Sequence, residues 1–405
     1  MALPDLIAVV WLGGALATGS AAAQTTFDRK LTAPDGAAND FFGIAVALND
    51  DVALVGSHLD NAEHPDSGSA YLFNTTTGNL IRKLTAPDGA AGDLFGRSVA
   101  LNSDIALVGS VLDNGRIGSA YLFDATTGNP IRKLTAPDGA ADDRFGLAVA
   151  LNGDVALIGS YLDDDNGVNS GSAYLFDTTT GDLVSKLTAP DGAPVDWFGF
   201  SVALSGDVAL IGSTGDGGEA GSAYLFDTTT GNLIRKLTAP DGEFSDQFGY
   251  SVALDGDVAL IASIYDNDND SNSGSAYLFD ITTGDLISKL TAPDGASFDQ
   301  FGFSVALNGD LALVSSIFDN EEAGSAYAFD TTTGDFISKL TAPDSAADDW
   351  FGYSVALSGD SALVGSIFDN DNGPGSGSAY LFTVPEPASL ALLALGLPAI
   401  FRRRG

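Results

Sequence analysis

Four short segments decide the fold: Ser98-Val99-Ala100-Leu101, Asp104-Ile105-Ala106-Leu107-Val108, Ser119-Ala120-Tyr121-Leu122-Phe123 and Pro130-Ile131-Arg132-Lys133-Leu134. Each is β-prone and short, and each is bounded by turn residues: Asn102-Ser103 after the first, Thr126-Thr127-Gly128 before the last. Working outward, the unit recurs. Lys-Leu-Thr-Ala-Pro-Asp begins at Lys30, Lys83, Lys133, Lys186, Lys236 and Lys289, and Lys339 opens a seventh copy, with spacings that alternate between 53 and 50 residues. A period near 50 is the signature of a repeat architecture. Most copies place Asn-Gly, Ser-Gly or Asp-Gly at the first turn, as in Asn152-Gly153, Ser205-Gly206 and Asp255-Gly256. Such pairs favour a tight type I′ hairpin. Four antiparallel strands per unit and seven units predict an all-β, seven-bladed β-propeller. A β-solenoid is the alternative, disfavoured because its coils are shorter and its strands parallel.

Ring closure is also legible. The last unit stops at its third strand, Ser378 to Phe382, while Phe27 to Leu31 is a fourth strand with no blade of its own. Joining the two completes blade seven and removes two open sheet edges.

The 405 residues carry 17 Lys and Arg against 54 Asp and Glu, a net charge of −37. That balance excludes nucleic acid as a partner, since phosphate binding needs clustered positive charge. Cysteine is absent, which excludes disulfides, thiolate metal sites and cysteine nucleophiles. The only histidines are His58 and His64, in one loop with Asp60, Glu63 and Asp66, so a dispersed histidine triad is excluded; the pair is expected to be solvated loop histidines, with a local transition-metal site as the alternative.

Both ends read as addresses. Leu6 to Ala17 is apolar and is followed by small residues ending at Ala23, which reads as a secretory signal over residues 1–23, although Asp5 sits where positive charge is expected. At the other end, Val384-Pro385-Glu386-Pro387 leads into an apolar segment, 388–401, and then Arg402-Arg403-Arg404. These three parts resemble the PEP-CTERM sorting signal of Gram-negative bacteria. The resemblance implies transient membrane anchoring, recognition by an exosortase, removal of the tail and delivery to the cell surface or the exopolysaccharide matrix. The propeller then spans 24–383.

Within the repeat, Phe-Gly occurs at Phe42, Phe95, Phe145, Phe198, Phe248, Phe301 and Phe351, and each copy also carries Gly-Ser-Ala-Tyr-[Leu/Ala]-Phe. The unit resembles the FG-GAP repeat, the propeller repeat of integrin α-subunits and many bacterial surface proteins. Physically, the Phe is placed to fill the core between blades and the Gly to let strands approach closely.

Residues present in every copy are expected to be scaffold, and function is expected where copies differ. The 53/50 alternation arises in the second-to-third loop, which shares one face of the ring with the fourth-to-first loop. Lys and Arg on the outermost fourth strand, such as Arg82-Lys83, are expected to guard the sheet edge. Metal-binding members of the resembled family place an Asp-rich calcium loop between the first two strands; here that connection is a two-residue turn, too short to wrap an ion. A different candidate is the second-to-third loop. Asp266, Asp268 and Asp270, and Asp369 with Asp371, offer alternate carboxylates for weak calcium, as does Asp163-Asp164-Asp165; the competing expectation is solvated loop acid. Asp177-Thr178-Thr179-Thr180-Gly181 is similar to the hairpin of quinoprotein propellers but lacks their Trp, so no bound quinone, and no cofactor beyond weak calcium, is expected. Phe200, Tyr250, Phe303 and Tyr353, with Trp197 and Trp350, are expected either to stack on sugars or to pack between blades. The functional expectation is an exported non-catalytic propeller that binds an extracellular polysaccharide or a surface protein. Two alternatives stand beside it: a polysaccharide lyase or hydrolase, and a purely structural matrix protein.

Overall fold

The computed structural model describes residues 24–268 and 270–385. The proposed secretory signal lies outside the described residues, as does the sorting tail beyond Pro385. No described helix is long and apolar enough to cross a membrane.

The described chain forms seven separate four-stranded sheets, each antiparallel and each in simple sequence order except the last. Blade two is representative: Phe95–Leu101, Ile105–Ser110, Ser119–Asp124 and Pro130–Leu134 pair successively. The last sheet runs Thr26–Leu31, Ser378–Thr383, Ser361–Ser366, Phe351–Ser358. Lys30 pairs with Tyr380 and Leu31 with Ala379, which is the closure expected from the ends of the repeat.

Burial follows from the radial stacking of sheets. The second and third strands are covered on both faces, so Ala106 to Ser110 and Ser119 to Phe123 are buried without a break. That is why these strands read as apolar runs and not as strict alternation. Fourth strands lie at the rim and are exposed over their first half.

Seven apolar clusters hold the ring, one at each junction. Phe95 is fully buried, meets Tyr121 and Phe123 edge-to-face with centroids 5.6 and 5.8 Å away, and packs on Leu54, Ala70 and Leu72 of the preceding blade. All seven Phe of the Phe-Gly pairs are equally buried. Gly96 is required twice over: its φ is +91°, and a Cβ there would overlap the Ser69 carbonyl oxygen. Its own carbonyl lies where a Cβ on Gly56 would project.

The first hairpin differs from the sequence expectation. Asn152 pairs with Val155, so Gly153-Asp154, not Asn152-Gly153, are the central turn residues. Only Gly153 has positive φ, at 53°. Positive φ at the first central position alone marks type II′, not I′. Gly206 and Gly256 occupy the same position in their blades. The misreading is one residue of register: the Gly was placed second in the turn, and it is first.

Candidate functional site

The loops from second to third strand and from fourth to first strand share one face. Each second-to-third loop clasps the chain that enters the next blade: Gly92 N–H donates to Pro65 O at 2.9 Å and Phe95 N–H to Ser67 O at 3.0 Å. Blades one, three, five and seven carry the long form of this loop. Blades two, four and six carry a short form, a single tight turn such as Asp113–Arg116 with Asn114 and Gly115 left-handed. The length alternation therefore falls where the sequence put it.

The fourth-strand lysines correct another expectation. They are not edge guards but centres of part-buried polar clusters. In blade three, Lys186 Nζ lies 2.7 Å from Asp138, 3.1 Å from Asp163 and 2.6 Å from Asp165. It also sits over the Tyr174 ring, 5.1 Å from its centroid. The Tyr174 hydroxyl lies 2.9 Å from both Asp138 and Asp163, so it donates to one of this pair of acceptors at a time. All seven blades repeat the Lys–Tyr pair with two carboxylates; blades three, five and seven add a third. Burial acts to lower the Lys186 pKa, but its three carboxylates outweigh it and hold the ammonium well above its ordinary value. Burial likewise acts to raise Asp138, and the bonds from Lys186 and Tyr174 reverse it, leaving the carboxyl below the usual range.

These clusters contain most of the proposed calcium ligands. Asp266 and Asp268 converge with Asp241, and Asp369 and Asp371 with Asp344. Asp270 is not part of its group; its carboxylate accepts from Ser271 N–H at 2.8 Å. In each group a lysine ammonium stands among the carboxylates: Lys289 lies 2.7 Å from Asp241 and 3.0 Å from Asp266, and also pairs with Asp268. Lys30 does the same with Asp344, Asp369 and Asp371. A calcium ion there would displace the lysine and would find three carboxylates where it takes six to eight oxygens. Neither histidine belongs to a converging group of metal-ligating side chains among the described residues. His58 is half-buried against Phe41, with ring centroids 5.9 Å apart, and burial together with nearby Arg97 pushes its pKa down to about 3. Asp60 belongs instead to the Lys83 cluster.

The variable chemistry lies on the ring axis. The residue after each Phe-Gly pair comes to the mouth of the central channel: Ile44, Arg97, Leu147, Phe200, Tyr250, Phe303 and Tyr353, around a cavity of about 250 Å³. Four consecutive blades supply aromatic rings that touch across the blade boundaries. Centroids are 5.2 Å apart for Phe200–Tyr250, 5.6 Å for Tyr250–Phe303 and 5.0 Å for Phe303–Tyr353. The arc continues outward through Tyr161 at one end, and at the other through Trp350, 4.6 Å from Phe368, to Phe41. Trp197 makes no ring contact among the described residues. The rings of Phe200, Tyr250, Phe303 and Tyr353 thus pack between blades, the second of the two expectations, and also line the cavity.

The backbone that presents these side chains is constant. The residue before each Phe-Gly pair is left-handed in all seven copies, with φ between 53° and 58°, at Phe41, Leu94, Arg144, Trp197, Gln247, Gln300 and Trp350. None is glycine. Two residues before each Phe, an Asp is buried and caps the loop: Asp40 Oδ2 accepts from Ala37 N–H at 2.6 Å. Burial holds this carboxyl above its ordinary pKa in every blade. Sequence reasoning missed the lysine clusters and Arg97; the signal for Arg97 was the single basic residue at a position otherwise apolar or aromatic.

Comparison with known proteins agrees with this architecture. No curated protein sequence matches the chain. Among solved structures, the crystal structure of the computationally designed Ika8 protein is similar in fold, with a TM-score of 0.52, 12% identity, and coverage of 88% of this chain and 100% of that one. The family model for the PEP-CTERM protein-sorting motif matches residues 383–404, which marks a protein exported and processed by an exosortase at the membrane. The FG-GAP repeat model matches seven times, over 25–73, 79–123, 130–176, 182–226, 232–279, 285–329 and 335–382. With seven matched repeats folding as seven blades and closed by its own N-terminal strand, the chain belongs to the FG-GAP repeat family.

Proposed function

We propose that this protein is a non-catalytic binding propeller that engages extracellular polysaccharide through its variable face, at the bacterial cell surface or in the exopolysaccharide matrix. The observation that carries the reading is the arc of half-exposed aromatic rings from Tyr161 to Phe41 around the channel mouth. Such rings offer broad apolar faces with little conformational entropy to lose, which suits stacking against the C–H face of a sugar. The export and sorting motif supports a location where such polymers occur. A glycosidase needs two carboxyls in different environments and different roles. The raised carboxyls here are seven copies of one capping residue, each tied to a backbone amide.

A glycan array run beside a reducing-sugar release assay tests the proposal. The expected result is selective glycan binding, weakened in Tyr250→Ala and Tyr353→Ala, without sugar release. Release of reducing ends would replace the reading with an enzyme, and neither binding nor release would leave a structural matrix component.

A further inference from the structure

We propose that the central cavity is a subsite for an acidic sugar, a pyranose bearing a carboxylate, with Arg97 taking the carboxylate and the aromatic wall taking the ring. The inference rests on the polysaccharide reading above and names the residue class that its central site selects.

Of the twenty residues that line the cavity, Arg97 alone is charged. In a chain with 54 acids and 17 bases, the one charge on the axis is a cation. Most other cations among the described residues are committed differently; Arg82 and Arg144 are also unpaired, but they do not line the cavity. All seven lysines stand in carboxylate clusters, and Arg116 pairs with Asp142 at 2.7 Å. Arg97 has no ion pair and no side-chain hydrogen bond among the described residues. It lines the cavity together with Tyr250 and Tyr353 of blades five and seven.

The remaining polar wall is mostly spoken for. Ser98, Ser201 and Ser354 hydroxyls donate to the carbonyls of Gly146, Gly249 and Gly43 at 2.7–2.8 Å. Ser251 and Ser304 accept from Val305 and Val355 N–H, each at 3.1 Å. What is free to meet a ligand is the Arg97 fork, the Tyr250 and Tyr353 hydroxyls and the O–H protons of Ser251 and Ser304, beside four aromatic rings. A guanidinium binds a carboxylate through two parallel hydrogen bonds, and an apolar surround strengthens them. At about 250 Å³ the cavity falls below the roughly 300–1,000 Å³ of drug-sized sites, which suits one sugar residue. Acidic loops crowd the same face, so the fit is to a terminal or isolated acidic residue and not to a densely charged polymer.

Titration calorimetry on the propeller with glucuronate-terminated oligosaccharides and matched glucose-terminated ones tests this, using wild type, Arg97→Gln and Arg97→Lys. Thermal melts confirm that each variant is folded. The expected result is about a tenfold or greater preference of wild type for the acidic oligosaccharide, weakened by added salt, reduced in Arg97→Lys and lost in Arg97→Gln. Equal binding of both oligosaccharides, or an acidic preference that survives in Arg97→Gln, would overturn the subsite and leave the polysaccharide reading intact. Acetate binding as tightly as glucuronate would reduce the site to an anion hole and overturn the sugar assignment. Failure of every oligosaccharide to bind would remove both readings.

Discussion

The rim and the axis of this propeller follow opposite rules. At the rim, each blade builds the same cluster of one lysine, one tyrosine and two or three aspartates, and the seven Lys Nζ–Tyr centroid distances all fall at 5.0–5.1 Å. At the axis, seven equivalent positions carry isoleucine, arginine, leucine, two phenylalanines and two tyrosines. The backbone is the same in both places, so the difference lies in what the side chains are for. A group that every blade needs joins the sheets; a group that one blade has alone is free to meet something else.

The largest expected effect tests the rim. In Lys186→Met, Asp163 stays buried, 4% exposed, with no cation beside it. Removing one partner of a buried pair costs about 3–5 kcal/mol, and the half-exposed Asp138 and Asp165 place the value near the low end. Arg97→Gln at the axis should stay within about 0.5 kcal/mol of wild type. Denaturant unfolding compares the two. The pH dependence has a fixed sign. Asp138 is held below its ordinary pKa, so its stabilisation is present above about pH 3.9 and is lost as pH falls through its folded value. Lys186 is raised, so its share is present below about pH 10.4 and is lost as pH rises through its folded value. The gap between wild type and variant should be flat from about pH 5 to 10 and narrow below about 4. A cost under about 1 kcal/mol, or a gap unchanged at low pH, would break the claim that the rim clusters are structural.

What could be read in advance divides along the same line. Strands, turns and closure were legible because they are local and repeat sevenfold; a lone copy of Ser98 to Leu134 would have said far less. The lysine clusters were not legible because their members are far apart in sequence. Lys83 meets Asp35, 48 residues earlier, and Asp60 in another loop. The available clue was that Lys and Tyr recur unchanged in every copy without turn roles, beside an Asp in the turn that follows the Lys. The alternate aspartates were legible as a group, but the lysine among them was not, since nothing local links Asp266 and Asp268 to Lys289.

A middle-sized effect sharpens the contrast between an internal cation and an external one. In Lys289→Ala, Asp241, Asp266 and Asp268 lose their ammonium, and their mutual repulsion is left for an added cation to relieve. Calcium at 1 mM should then raise stability by about 0.4–1.4 kcal/mol, given dissociation constants near 10⁻⁴–10⁻³ M for weak extracellular sites. Magnesium, which dehydrates reluctantly, should do less. Wild-type melts in calcium and in EDTA should coincide. An equal calcium shift in wild type would mean that the ion displaces Lys289, and would restore Asp266, Asp268, Asp369 and Asp371 as a working calcium set.

The smallest effect concerns the left-handed residue before each Phe-Gly pair, where backbone constancy and side-chain variety meet at one position. Gln300 has φ of 53°, and its N–H donates to Asn272 O at 3.3 Å. Any residue with a Cβ is strained there, and glycine is not. Gln300→Gly should therefore be more stable than Gln300→Ala by about 1 kcal/mol, a difference on the order of 1 °C in melting temperature for a domain of this length. Trp350 has the same φ, 53°, but its ring packs 4.6 Å from Phe368 and parallel to Tyr353. Trp350→Gly relieves the same strain and loses that packing, so its net effect should be destabilising. Opposite signs for one substitution at two equivalent positions would show that the repeat fixes the backbone and leaves the side chain to each blade. Equal stability of Gln300→Gly and Gln300→Ala would show that the left-handed turn costs nothing, and the variety at this position would then need no functional return to offset it.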